Sequence, residues 1–153
     1  MNEIYRYGGA RTLVELHERH LRELFGVWRR AASAGVALPE TEDPAYASYE
    51  ALLAHVLGCA ARYLVWICES LGLPAPALET RPAPEGFAVR AAGYLEEILA
   101  AWDGPLTGIT EEQACAVAYP SNWSTPYCVD AMLEHAVMHP IRHAHQLRRL
   151  LER

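Results

Sequence analysis

Positive charge is scarce and scattered in this sequence. Thirteen Lys and Arg stand against 19 Asp and Glu, giving a formal net charge of −6 at pH 7. An acidic surface repels phosphate backbones, and with no basic stripe nucleic acid is not an expected partner. The pairs Arg29-Arg30 and Arg148-Arg149 fall near expected helix ends, where they answer the negative end of the helix dipole. Cys-x-x-Cys pairs are also missing. Cys59, Cys68, Cys115 and Cys128 are too dispersed for a zinc ribbon or a thioredoxin-type site, and thiols in a helical core are expected. Met1 to Arg6 lacks the apolar run of a signal peptide. No stretch reaches the roughly 18 consecutive apolar residues of a membrane span. The expectation is a soluble, cytoplasmic protein without a membrane partner. Phosphate-cradling glycine loops and a nucleophile elbow are absent too.

What is present is apolar and helical. Hydrophobic residues make up 52% of 153 residues. A chain of this size buries roughly 70% of the surface its unfolded form exposes, so one domain, 1–153, with an unstapled core is expected. Apolar positions recur with helical spacing, and nothing alternates with period two over a useful length. A first helix is predicted from Gly9 to Ala34, stopped by Gly35. A second starts at Asp43-Pro44, a cap and first-turn proline, and runs to Leu71 before Gly72 and Pro74. Four prolines make 74–84 a loop. A third helix spans Glu85 to Ala101, weakened by Gly86 and Gly93. Gly104 to Ser124 is a long connection with a short helical piece at Glu111 to Val117, and a connection of that length often covers a site. Thr125-Pro126 reads as the cap and first turn of a fourth helix reaching Leu151. The predicted architecture is all-α, a four-helix bundle with long first–second and third–fourth connections.

The fourth helix carries the chemistry. His135, His139 and His143 lie four residues apart, a spacing that stacks side chains on one face and lets two converge on one ion. At about 100° per residue, His143 falls inside the stripe of Leu133, Ala136, Val137, Ala144 and Leu147, and His139 on its flank. His135 drifts outward and His145 points away. An interior metal then needs a ligand from another helix, and His55, at the edge of the second helix's stripe, is the candidate. Its i+4 neighbour Cys59 is a rival or additional ligand, although a buried cysteine more often packs. His17 and His20 share a face of the first helix. His17 near the stripe's centre either lines the site or is a satisfied core histidine, and neither is counted as a ligand.

Two segments resemble the DinB-like family, which includes the YfiT-type proteins: Leu52-Leu53-Ala54-His55-Val56-Leu57-Gly58, and the run from Glu134 to Leu147 with its His-x-x-x-His followed closely by Gln and an aliphatic residue. Helix lengths and order agree as well, so the resemblance spans nearly the whole chain. It implies a four-helix bundle, often a homodimer, with a divalent metal, commonly nickel or zinc, held by one histidine of the second helix and two of the fourth. Carried over, these are His55, His139 and His143. His145 departs from the family pattern, where a small residue is common. So does Pro140, which removes an in-helix hydrogen bond and predicts a kink just after a ligand.

Three neutral imidazoles leave a metal with its full charge and an open position, as at catalytic zinc. Some relatives resemble thiol S-transferases that use bacillithiol, mycothiol or glutathione. A metal-dependent hydrolase or thiol transferase acting on a small molecule is therefore the leading expectation. The alternative is a non-catalytic metal-binding or stress-linked bundle acting through protein contacts. A zincin-type protease requires Glu where Pro140 stands, and a di-iron centre requires Glu-x-x-His on two helices; neither pattern occurs. Imidazole chemistry leaves the metal's identity open. Tyr119, Trp123 and Tyr127 of the long connection either wall a substrate site or cap the end of the helices.

Overall fold

A computed structural model describes residues 4–116 and 118–153. Met1–Glu3 and Val117 lie outside the described residues, and with them the end of the predicted Glu111 to Val117 piece and the start of the N-terminal segment. The described residues are mostly helical. Four long helices, α1 (Gly8–Ser33), α2 (Tyr49–Leu71), α3 (Phe87–Trp102) and α5 (Val129–Leu151), are joined by a short α4 (Glu111–Cys115) and a two-stranded hairpin, β1 (Tyr119–Pro120) with β2 (Pro126–Tyr127). The strands are antiparallel, Tyr119 opposite Tyr127 and Pro120 opposite Pro126.

Each long helix buries the face its spacing predicts. In α1, His17, Leu21, Leu24, Val27, Trp28 and Ala31 are buried; in α3, Phe87, Ala91, Tyr94, Leu95, Ile98 and Trp102. α1 packs chiefly on α5, and α2 on both α3 and α5. α2 is apolar nearly all round. By length and composition it could cross a membrane, a property that a count of uninterrupted apolar residues passes over, and most of its apolar window is buried by its neighbours. A helix covered on several sides needs no polar face.

The ends of α2 and α5 differ from expectation for local reasons. Asp43 does cap, its carboxylate accepting from Ala45 N, but only one 3₁₀ turn follows (Pro44–Tyr46). α2 itself begins after Ser48, whose hydroxyl accepts from Ala51 N at 3.0 Å. It closes with Gly72 in the left-handed region (φ 67°), where Leu73 N donates to Cys68 O and Gly72 N to Glu69 O, a Schellman ending. Pro126 does not start α5. It sits in β2, and the helix starts one turn later, with Cys128 Sγ accepting from Ala131 N at 3.4 Å. The hairpin turn explains the shift: Ser121 N donates to Thr125 O, and Ser121 Oγ accepts from Thr125 N. These bonds hold 121–125 as a closed loop. α5 runs unbroken through Pro140.

One close approach sets the position of the 74–84 loop. A Cβ on Gly58 would lie 2.8 Å from Pro82 Cδ and 3.0 Å from the Thr80 carbonyl. The absent side chain lets the loop lie directly on α2. Arg62, one turn on, donates to that same Thr80 carbonyl at 2.9 Å. Gly58→Ala gains about 1 kcal/mol of helix propensity but forces the loop outward, an overpacking that costs about 1–3 kcal/mol. The expected outcome is a lower urea midpoint with an unchanged slope. A midpoint at or above the parent's would mean that the loop yields freely.

Candidate metal centre and its cleft

The three predicted imidazoles come together. His139 and His143 project from successive turns of α5 with ring centroids 4.8 Å apart, and His55 of α2 lies 5.1 Å from the first and 5.6 Å from the second. His139 and His143 are 5% and 7% exposed. Cys59 joins them more closely than its reading as a packing thiol predicts. Potential ligand atoms of His55, Cys59 and His139 all lie within 4.8 Å of one another. Zinc–nitrogen bonds are about 2.0–2.1 Å, and atoms this close to one another are compatible with sharing one ion; His143 is not part of that closest set.

Burial determines the charge state here. Desolvation, then the neighbouring imidazoles and the Arg142 cation, pushes His139 down to about 2 and His143 to about 4; His55 is lowered by burial and by Arg62. All three rings are neutral at pH 7, the form in which imidazole donates a lone pair. His139 Nδ1 is buried and has no hydrogen-bond partner among the described residues, in a place that ordinarily supplies one. The Cys59 thiol is pushed up by burial despite Arg62, whose guanidinium donates to Sγ at 2.7 Å. It is therefore a neutral thiol unless a cation displaces its proton.

His143 is oriented from outside. The Tyr46 hydroxyl lies 3.1 Å from His143 Nδ1 and donates its own proton to Gln146 Oε1. With that proton committed, the hydroxyl oxygen accepts from Nδ1–H, and Nε2 carries the free lone pair. This is the usual arrangement behind a ligating histidine. Spacing on α5 marks Gln146 as a neighbour of His143, but nothing in the sequence brings Tyr46 there.

A cleft of about 460 Å³ opens beside the rings, reached by His55, His139, His135, Cys59, Trp66 and Trp123 among others. Trp123 stacks on His135, with centroids 5.1 Å apart and planes at 27°, and is 43% exposed. Trp66 anchors the hairpin, its indole N–H donating to Pro120 O at 3.0 Å. The hairpin thus forms one wall of the cleft rather than a seal over it. Tyr127 stands behind His135, and Tyr119 against Trp66. Trp102 lies elsewhere, buried against His17 and donating to Ala60 O. His145 is exposed, and His20 pairs with Glu23 at 3.0 Å. No family model matches the chain, and neither a curated protein nor a solved structure does.

His17 packs on Trp102 with centroids 4.4 Å apart, is 1% exposed, and neither ring nitrogen has a hydrogen-bond partner among the described residues. Burial lowers it from 6.5 to about 3. Between those values the unfolded chain takes up a proton that the folded chain refuses. Stability present above about pH 6.5 is therefore lost as pH falls toward 3. His17→Leu removes two unpaired polar atoms of similar volume. It is expected to be at least as stable at pH 7 and to lose less stability over that window, read by urea unfolding across a pH series. Acid sensitivity equal to the parent's would contradict the neutral, unpaired ring.

Proposed function

We propose that this chain is a DinB-like four-helix-bundle protein that binds a divalent metal, nickel or zinc, through His55, His139 and His143. On this reading it acts as a metal-dependent hydrolase or thiol S-transferase on a small molecule. The observation that carries the reading is the convergence of neutral imidazoles from two helices at the wall of an open cleft. The orphaned Nδ1 of His139 fits the same reading. A bacillithiol, mycothiol or glutathione cofactor, a homodimer and a cytoplasmic setting enter with the family resemblance.

When bound, a divalent cation supplies Lewis acidity and acidifies a water or thiol ligand. The remaining work belongs to the protein. Tyr46 and Gln146 favour the tautomer of His143 that leaves Nε2 with the free lone pair. Burial holds all three imidazoles unprotonated through the neutral pH range. The stacked Trp123 and His135 and the buried Trp66 give the cleft apolar walls that exclude water from one side of a bound molecule.

A second reading, a non-catalytic metal site, draws support from Cys59. With its thiol ionised, Cys59 would complete a closed four-ligand set of the structural kind. The two readings separate by experiment. Protein purified without a tag is expected to hold one equivalent of metal by elemental analysis, and His139→Ala none. Tyr46→Phe is expected to weaken metal binding by about 10–100-fold, the usual cost of removing a histidine's outer partner. In the catalytic reading Cys59→Ala keeps the metal, and the cobalt-substituted protein shows no thiolate charge-transfer band. Thiol conjugation or hydrolysis then disappears together with the metal. A metal-free preparation that also fails to take up added zinc or nickel would end both readings.

A further inference from the structure

The cleft beside the histidines is cationic in a chain that is acidic as a whole. Three arginines from three separate elements line it: Arg62 of α2, Arg81 of the 74–84 loop and Arg142 of α5. No Asp or Glu is among its lining residues. Elsewhere Arg11, Arg22, Arg90 and Arg148 are each held by a glutamate, while Arg6, Arg19, Arg29, Arg30, Arg149 and Arg153 have no ion pair among the described residues; what sets the cleft apart is that three arginines converge on it without a carboxylate. Arg62 is committed to the Thr80 carbonyl and Cys59 Sγ, neither of them a carboxylate. Arg81 and Arg142 have neither an ion pair nor a side-chain hydrogen bond among the described residues.

Arg81 reaches this position because Gly58 lets its loop lie on α2. Arg142 precedes His143 and lines the same cleft as His55, Tyr63, His135 and His139. Asp43 borders a neighbouring recess with His55, Arg62 and Arg81, and its carboxylate already caps Ala45 N. Guanidinium groups present planar forks that match carboxylate and phosphate oxygens. The Trp66 and Trp123 rings supply flat apolar surface next to them.

We propose that this cleft binds a small organic oxyanion, a carboxylate or phosphate monoester on a planar apolar body, with Arg81 and Arg142 gripping the charged head and Trp66 and Trp123 flanking the body. The cleft's volume of about 460 Å³ falls in the range of small-molecule sites. The proposal deepens the reading of the histidine cluster as a reacting centre by naming the chemistry of what lies over it. Arg81 and Arg142 are specificity residues in this account, and neither is a metal donor.

The test uses three probes of one shape on the full chain dialysed against a chelator: 2-naphthoate, 2-naphthyl phosphate and the neutral 2-naphthylmethanol. Binding is read by calorimetry and by quenching of tryptophan fluorescence. At least one oxyanion is expected to bind about tenfold tighter than the alcohol, the ratio that one charge-assisted hydrogen bond supplies. The better head identifies which oxyanion the cleft is built for. Arg81→Ala and Arg142→Ala are each expected to reduce oxyanion affinity about tenfold and to leave alcohol binding unchanged. The preference should also shrink with added sodium chloride. Circular dichroism melting establishes folding, and Arg81→Gln replaces either alanine variant that unfolds. Equal binding of alcohol and oxyanion, binding of no probe, or oxyanion affinity untouched by the Arg81 substitutions would overturn the proposal. Zinc titration of the same samples reports separately: an oxyanion preference in protein that never takes up zinc would sustain the anion site and remove the metal-centred function.

Discussion

An imidazole enclosed by aliphatic side chains gives up its proton, because the interior penalises the charged form more than the neutral one. The seam between α2 and α5 imposes this on three rings at once, and they further disfavour one another's protonation. Everything around the site follows from that seam. α2 is covered on several sides, with Cys59 buried and His55 half-buried one turn before it, and α5 brings His139 and His143 against His55. A cluster of neutral nitrogen donors is costly to bury unless its lone pairs are used. Tyr46 satisfies one side of His143, whereas His139 Nδ1 stays open.

His17 shows how the same physics gives a different result without converging partners. It too is buried and neutral, but its ring contact among the described residues is Trp102, with no second imidazole. A buried ring whose two nitrogens lack partners subtracts from stability. The contrast separates the two histidine populations by what faces them, since burial alone does not.

The interior histidines were legible because helical periodicity is a strong signal. A spacing of four placed His139 and His143 on the inner side of α5, and the stripe of α2 placed His55 at its edge. The all-helical class was legible for the same reason. The start of α5 was not: Thr125-Pro126 satisfies the local rule for a helix cap, but the hairpin's bonds between Ser121 and Thr125 and the Trp66 anchor on Pro120 outweigh it. Tyr46 and Arg81 were likewise out of reach. Each acts through a contact between segments far apart in sequence, Tyr46 with α5 and the Arg81 loop with Gly58. Gly58 itself reads as a weak point in a helix until the passing loop is seen.

Charge placement is the last step in relating the fold to the site. A chain with six more acids than bases pairs Arg11, Arg22, Arg90 and Arg148 with glutamate. Among the described residues that line the cleft, three are arginines and none is a carboxylate. Two unpaired guanidinium groups beside buried neutral imidazoles raise the local potential, which favours an incoming anion and opposes protonation of the rings. The same charges also oppose a divalent cation. Were the proposed metal and oxyanion both to bind, an anion already in place, whether an ionised Cys59 or the oxyanion, would ease entry of the cation, and by reciprocity the cation would strengthen anion binding; the sign of that coupling comes from the arginines rather than from the histidines.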